Sequence, residues 1–286
     1  MSVQRDRVRR ARATEAAMKV VTGACAAAVM LSAAGLLGYL LVRGLPAINW
    51  SFLTSLPLKD PPGIWPAIVG TFWLTFGTAL FALPVGIAAG IYLSEYAKRG
   101  RLTRLIRLSI ANMAGVPSIV YGLFGAALFV MLFKFGLSLL SGSLTLACLT
   151  LPVIITATEE ALRQVPQDLR QASLALGATR WRTISKVVLP AAAPGIVTGS
   201  ILGLSRAAGE TAPVMFTAVF FLTGLPKSPF DKVMALPYHI YIMATQPVKP
   251  QPLVVWGSAL VLVAGVSIVN VAAAAWRSRA RKKVRW

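Results

Sequence analysis

Six apolar runs organise this 286-residue chain, at about 17–42, 66–93, 106–133, 138–158, 194–222 and 253–276. Each is long enough, at roughly 20 residues, to carry a helix across about 30 Å of hydrocarbon. A single run of this kind could be a helix buried in a soluble core, but a chain of this size has little room to bury six. The mean hydropathy of +0.70 and the 56% hydrophobic content agree, and they exclude a disordered chain. Hydrocarbon offers no partner to free peptide groups, so a spanning chain must close its hydrogen bonds internally, as helices or a barrel. The expected fold class is therefore all-α, a polytopic membrane protein with six transmembrane helices. The first run exceeds the apolar core of a signal peptide and follows 16 arginine-rich residues, so it is read as a retained span.

The charge then orients the bundle. The chain carries 29 Lys and Arg against 9 Asp and Glu, a formal net charge of +20. Counted by loop, with bases at the run ends assigned to the adjoining loop, 22 fall on one side of the membrane and 6 on the other, and the remaining base, Arg206, lies within a run. Basic loops stay in the cytoplasm, so both termini are expected there. The organisation predicted is a basic N-terminal segment at 1–16, a six-span domain at 17–276 with a cytoplasmic loop at 159–193, and a basic tail at 277–286. That tail suits contact with anionic membrane lipid. No folded nucleic-acid module accompanies it, so no nucleic acid is expected as a partner. Gly86/Gly90 and Gly199/Gly203 have the spacing of close helix packing. Pro84, Pro117 and Pro213 fall inside the runs, where each would kink a helix.

The 159–193 loop is patterned. Pro166 starts a helix with Asp168 in its first turn and Gly177 just past its end, and Val165, Leu169, Ala172 and Leu176 form a narrow apolar stripe. Thr179 caps a second short helix that sets Trp181, Ile184 and Val188 on one face and stops at Leu189-Pro190. A short amphipathic helix of this kind fits a groove on a partner protein, or else lies on the membrane surface.

Gln171-Ala172-Ser173, three residues, Gly177, nine residues, then Val187-Val-Leu189-Pro190 resembles the EAA loop of ABC importer permeases, with Gln171, Ser173 and Val187 in place of Glu, Ala and Ile. Arg206-Ala-Ala-Gly-Glu-Thr-Ala-Pro213, then Met215-Phe-Thr-Ala218, resembles the motif of the phosphate branch of that family. Leu236-Pro-Tyr-His-Ile-Tyr241 and Ala244-Thr-Gln-Pro247 are similar to its external segment, and the similarity runs from about Gly63 to Trp276. The resemblance implies a type I ABC importer permease fold in a cytoplasmic (inner) membrane. It implies as partners a homologous second permease, two ATP-binding subunits and a phosphate-binding protein. Gln171, Ala172, Ser173, Leu176, Gly177, Leu189 and Pro190 would then belong to the loop that couples to the ATPase.

Arg206 needs an explanation independent of any family. Counted from Pro194 it falls near mid-membrane, where an isolated Arg costs at least about 2.5–3.5 kcal/mol. Glu210 follows four residues later, on the same face of an expected helix, so the two can pair. The pair could simply lock two helices. Alternatively, Arg206 offers a planar fork to an oxyanion while Glu210 orients it and keeps the anion from staying, and Thr211 adds a hydroxyl. The motif favours the second reading. Asn112 and Ser118, beside Pro117, could line the same path or bond between helices. His239 reads as a surface or packing residue, and Glu159 and Glu160 as partners of nearby bases.

The sequence lacks a G-x-x-x-x-G-K-[ST] run, an HExxH or GxSxG motif, and any Cys/His cluster; Cys25 and Cys148 both sit in apolar runs. A transport subunit rather than an enzyme is expected, with no metal or cofactor on this chain and ATP used by a partner. The substrate expected is inorganic phosphate. The alternatives are another oxyanion such as sulfate or molybdate, or an ion-coupled carrier, which would need more titratable groups along the path.

Overall fold

The computed structural model describes residues 2–57, 62–98, 100–245 and 252–283. Lys59, Arg99, Gln246, Pro247 and Lys249 lie outside the described residues, as do the side chains of the leader through residue 13 and of the tail from residue 280. Among the described residues five helices are long and apolar enough to cross a membrane, and a bent helix pair makes a sixth crossing. The helices are α1 (Ser2–Gly44), α2 (Trp50–Thr54), α3 (Trp65–Ile91), α4 (Arg101–Ala114), α5 (Ser118–Gly125), α6 (Leu139–Arg163), α7 (Gln167–Ala175), α8 (Arg180–Thr183), α9 (Leu189–Ala208), α10 (Ala212–Met215), α11 (Leu236–Thr245) and α12 (Pro252–Lys283). Both terminal helices run without interruption through the expected boundaries at 16/17 and 276/277.

The bundle is held where small residues let backbones approach. A Cβ at Gly86 would lie 2.7 Å from Ile154 Cγ2, and one at Gly90 would lie 2.6 Å from Thr158 Cβ, so α3 and α6 interlock. Gly199 does the same for α9, where a Cβ would stand 2.4 Å from that of Ala157. In lipid, where helices gain little by hiding apolar surface from each other, such close packing carries much of the association. By contrast α1 is exposed from Thr14 to Leu37 and meets α12 only through its last turns, at Gly44 and through Tyr39 edge-on to Trp256. An apolar helix exposed all round in this chain suits lipid or another membrane helix against it.

Two expected spans are revised. For the third the sequence predicts one kinked span over 106–133, but α4 and α5 meet at 101° across Gly115-Val116-Pro117. Pro117 has no N–H to continue a helix and drives the preceding residue out of helical conformation, so it ends α4 rather than kinking a continuous span. Tyr121 closes the elbow by donating to Met113 O at 2.9 Å. Past the elbow the helix resumes at Ser118 and continues through a π-helical stretch, Ala126–Leu132. For the fifth the sequence predicts 194–222, but α9 starts at Leu189 and ends at Ala208 with Gly209 as its cap. Pro213 therefore sits in the first turn of the four-residue α10. Pro84 does lie inside a continuous helix, as do Pro152 and Pro194.

The chain from Gly209 to Ala235 folds back into the bundle. Val214, Ala218, Val219, Val233 and Ala235 share a core with Leu74, Leu146 and Ala207. Its carbonyls cap the start of α6: Ser138 N donates to Thr217 O at 3.0 Å, Leu139 N to Asp231 O at 2.8 Å and Leu140 N to Pro229 O at 2.8 Å. Those helix-start donors would otherwise be orphaned. His239, on the short helix α11, is 3% exposed and stacks on Phe221 at 5.8 Å, so it is a packing residue.

Gly86→Val should destabilise the chain by about 1–3 kcal/mol through overpacking. Gly35→Val, where nothing lies within 4 Å, should not; thermal unfolding in detergent separates them. Burial pushes the His239 imidazole down to about 4 from its ordinary 6.5. The folded state thus resists a proton that the unfolded chain accepts, and stability falls as pH drops from about 6.5 toward 4, by up to about 3 kcal/mol. His239→Phe should flatten the melting temperature over that window.

Candidate functional site

Two groups of side chains stand out, one on the folded-back segment and one at the arginine-rich end of the bundle. Arg206 lies in the last turn of α9, where the negative end of the helix dipole favours a cation. Glu210 lies beyond the end of that helix, so the pair does not share a helix face as expected. It nevertheless forms, with Arg206 Nε 3.4 Å from Glu210 Oε1. The turn that allows this is built by Gly209 N and Glu210 N donating to Arg206 O and Ala207 O at 3.0 and 3.1 Å.

The depth also differs from the mid-membrane expectation. Glu210 lines a water-sized cavity of about 10 Å³ with Thr71, Leu74 and Thr75 of α3. Those residues lie about 9–15 Å in from the α3 end at Trp65, at 1.5 Å per residue. Because α9 starts at Leu189 rather than Pro194, Arg206 lies about 26 Å along it at 1.5 Å per residue, in the half of the bundle away from the arginine-rich end. The Glu210 side chain is 17% exposed and the Arg206 side chain 61%. A permanent cation so exposed at this depth would be costly against lipid, so its open face suits a polar neighbour or water. The contact at 3.4 Å is also looser than a close charge-assisted bond, near 2.7–2.9 Å, and it occupies only Nε. The two terminal amino groups of the guanidinium remain as a fork.

Thr211, half-buried, starts α10 beside Glu210. Gly122 of α5 packs on Ala212 and Pro213, where a Cβ would lie 2.9 Å from Ala212 O. Ser118, one turn earlier on α5 and half-buried, is thereby within a turn of this segment. Asn112 is not: it is exposed on the last turn of α4, across the elbow. Thr71 and Thr75 are cavity residues that the sequence did not single out, because threonines in an apolar helix also bond back to their own backbone, as both do here.

At the other end, the loop after α6 forms α7, a left-handed Gly177 with φ +79°, and α8 capped by Thr179. Thr179 accepts from Arg182 N at 3.3 Å. Val165 is buried and Leu169 packs beside it, against Leu162, Val188 and Ile196. The rest of the expected apolar stripe points outward. Ala172 is exposed, and Leu176 is 89% exposed, because α7 ends at Ala175 and the glycine turn swings Leu176 away. Trp181 is likewise exposed, whereas Ile184 and Val188 of its expected face are buried. Gln171, Ala172, Leu174, Leu176 and Trp181 thus lie on the outer side of the loop. Ser173, half-buried, joins α7 to α8 through a 2.9 Å hydroxyl contact with Thr183. The second helix does not stop at Leu189-Pro190. A π turn, Ile184–Val188, leads straight into α9, and Pro190 sits in its first turn, where a missing N–H is tolerated.

Charged side chains brace this end. Glu159 accepts Arg107 at 2.8 Å and Arg163 at 2.6 Å, as its position near bases suggested, while Glu160 is exposed. Arg170 of α7 pairs with Glu95 at 2.5 Å. The sequence reading missed this second pair. Its one available signal was an acid at the basic end of a long apolar run, and 75 residues separate the partners.

The profile of the family described as binding-protein-dependent transport system inner membrane component matches residues 82–285. The probable ABC transporter permease protein YqgI of Bacillus subtilis (strain 168) is 35% identical over 266 residues, covering 88% of this chain and 90% of that protein. The phosphate transport system permease protein PstA 1 of Mycobacterium tuberculosis (strain H37Rv) is 40% identical over 231 residues, covering 80% of this chain and 74% of that protein. Among solved structures, an inward-facing MetNI methionine ABC transporter matches with a TM-score of 0.62 and 19% identity, over 76% of this chain and 97% of that one. A bacterial ABC transporter that imports the acidic polysaccharide alginate matches at 0.61 and 14%, over 86% and 88%. These two likenesses show the fold of an ABC importer permease.

Proposed function

The chain belongs to the family of binding-protein-dependent transport system inner membrane components, and from that premise we propose that it is the permease subunit of an ATP-driven importer of inorganic phosphate. It is a transport subunit rather than an enzyme, and ATP is hydrolysed by separate subunits. The relatives named as phosphate permeases support the substrate. The observation that carries the reading is Arg206, a permanent cation in the last turn of the α9 crossing, 61% exposed and only loosely paired with Glu210.

In this reading a second, homologous permease covers the open side of Arg206, and the path for phosphate runs between the two. The free fork of the guanidinium takes two oxygens of the tetrahedral anion, which a Lys could not match. Glu210 competes for the same cation, so the anion is held long enough to enter and weakly enough to leave. Thr211 and Ser118 supply hydroxyls nearby, while Asn112 across the elbow contributes at most to a separate stretch of the path. The end with Arg107, Arg163 and Arg170 faces the cytoplasm, where basic loops remain, and both termini run to that side. The outward Leu174, Leu176 and Trp181 dock onto one of two ATP-binding subunits. A phosphate-binding protein delivers the anion at the opposite end.

Arg206→Ala should lower phosphate uptake by about a hundredfold, the effect of losing a charge-assisted contact of about 2–3 kcal/mol, with membrane assembly intact. Arg206→Lys should recover only a minor part of it. Radiolabelled uptake in cells checks both, and normal uptake by Arg206→Ala would remove this residue from the path. Leu176→Asp and Trp181→Asp, both at exposed positions, should leave the melting temperature of the isolated chain unchanged. They should cut the ATP-binding subunit recovered on co-purification by about tenfold.

A further inference from the structure

Glu95 lies in the π turn Tyr92–Tyr96 that ends the α3 crossing, and its side chain is only 8% exposed. One carboxylate oxygen accepts Arg170 Nη1 of α7 at 2.5 Å, and the other accepts Ser94 Oγ at 3.2 Å. Arg170 is itself 15% exposed and donates through Nη2 to Leu162 O, near the end of α6, at 2.7 Å. Arg180 of α8 donates to the Glu95 carbonyl and stacks over the Tyr96 ring at 5.3 Å. Both helices of the outward-facing loop are therefore tied to a single turn of backbone at the end of one membrane crossing.

This arrangement is more than a surface decoration. A nearly buried carboxylate and guanidinium resist separation, because either one left alone in a low-dielectric site is strongly disfavoured. Arg170 lies on the inner side of α7, with Gln171 and Leu174 of the same helix facing out. A displacement of the outer face must then move Glu95 and α3 with it, rather than dissipate in the loop. α3 in turn is interlocked with α6 at Gly86 and Gly90. Beside the link, Arg107 donates to Leu93 O at 2.9 Å while pairing with Glu159, which ties α4 and α6 to the same turn. Two π turns, at Tyr92–Tyr96 and Ile184–Val188, flank the contact, and such turns are frequent at functional sites.

We propose that Glu95 and Arg170 are positioning residues for transport, the mechanical link that passes movement of the docked loop into the α3 crossing. This rests on the reading of Leu174, Leu176 and Trp181 as the ATPase-docking patch. The test uses the complete complex in proteoliposomes with phosphate-loaded binding protein, measuring phosphate uptake and ATP hydrolysis on the same vesicles. Glu95→Gln and Arg170→Met should each lower uptake by about tenfold, within the range of ordinary coupling between sites. The ATP-binding subunits should still co-purify in full amount and ATP hydrolysis should change less than about twofold, so the ATP consumed per phosphate rises. Arg170→Lys, which keeps the charge, should restore most of the uptake. An unchanged ratio of ATP to phosphate in both single variants would overturn the link. Loss of the ATP-binding subunits would overturn it too, since the pair would then serve docking. Wild-type vesicles that take up no phosphate would refute the transport reading on which the link stands.

Discussion

In hydrocarbon every peptide group must find its partner inside the protein, and this constraint shapes every departure from a plain six-helix bundle. Where α9 ends at Gly209, the chain does not leave the bundle but folds back, and its carbonyls cap the exposed amides at the start of α6. The break creates a charged turn without leaving a hole in the hydrogen-bond network. Arg206 and Glu210 flank that turn, and a cavity the size of one water lies beside Glu210. The constraint that forbids irregular backbone against lipid thus directs it to the inner parts of the fold, where a polar path can use it.

The small residues do the complementary work. α3, α6 and α9 approach closely at Gly86, Gly90 and Gly199, forming the packed centre, while α1 stays at the exposed edge. At the basic end two carboxylates, Glu95 after α3 and Glu159 on α6, gather Arg107 of α4, Arg163 of α6 and Arg170 of α7, and Arg180 of α8 adds a bond to the Glu95 carbonyl. Packing makes the crossings move together, and the ion pairs join them to the loop that faces out.

Much of this was legible in the sequence, because lipid leaves long apolar runs few options. The second, fourth and sixth runs became α3, α6 and α12 with small changes at their ends. The third and fifth failed at Pro117 and Gly209, because hydropathy sees a continuous apolar stretch and is blind to whether backbone bonds continue through it. Val165 and Leu169 faced inward as the helical period implied, whereas Ala172 and Leu176 did not. The period cannot tell a face buried in the chain itself from one kept open for another protein, and Gly177 turned Leu176 out. The Arg206–Glu210 pair was readable because its members are four residues apart. The Glu95–Arg170 pair was not, because only the folded chain brings those residues together.

The account makes phosphate the cargo and Arg206 its recognition point, with ATP spent elsewhere. The most direct measurement is ATP hydrolysis by the purified complete complex in proteoliposomes, with the binding protein presented empty, with phosphate or with sulfate. The account predicts stimulation by phosphate alone, accompanied by phosphate accumulating inside the vesicles. Stimulation and uptake with sulfate but not phosphate would contradict it.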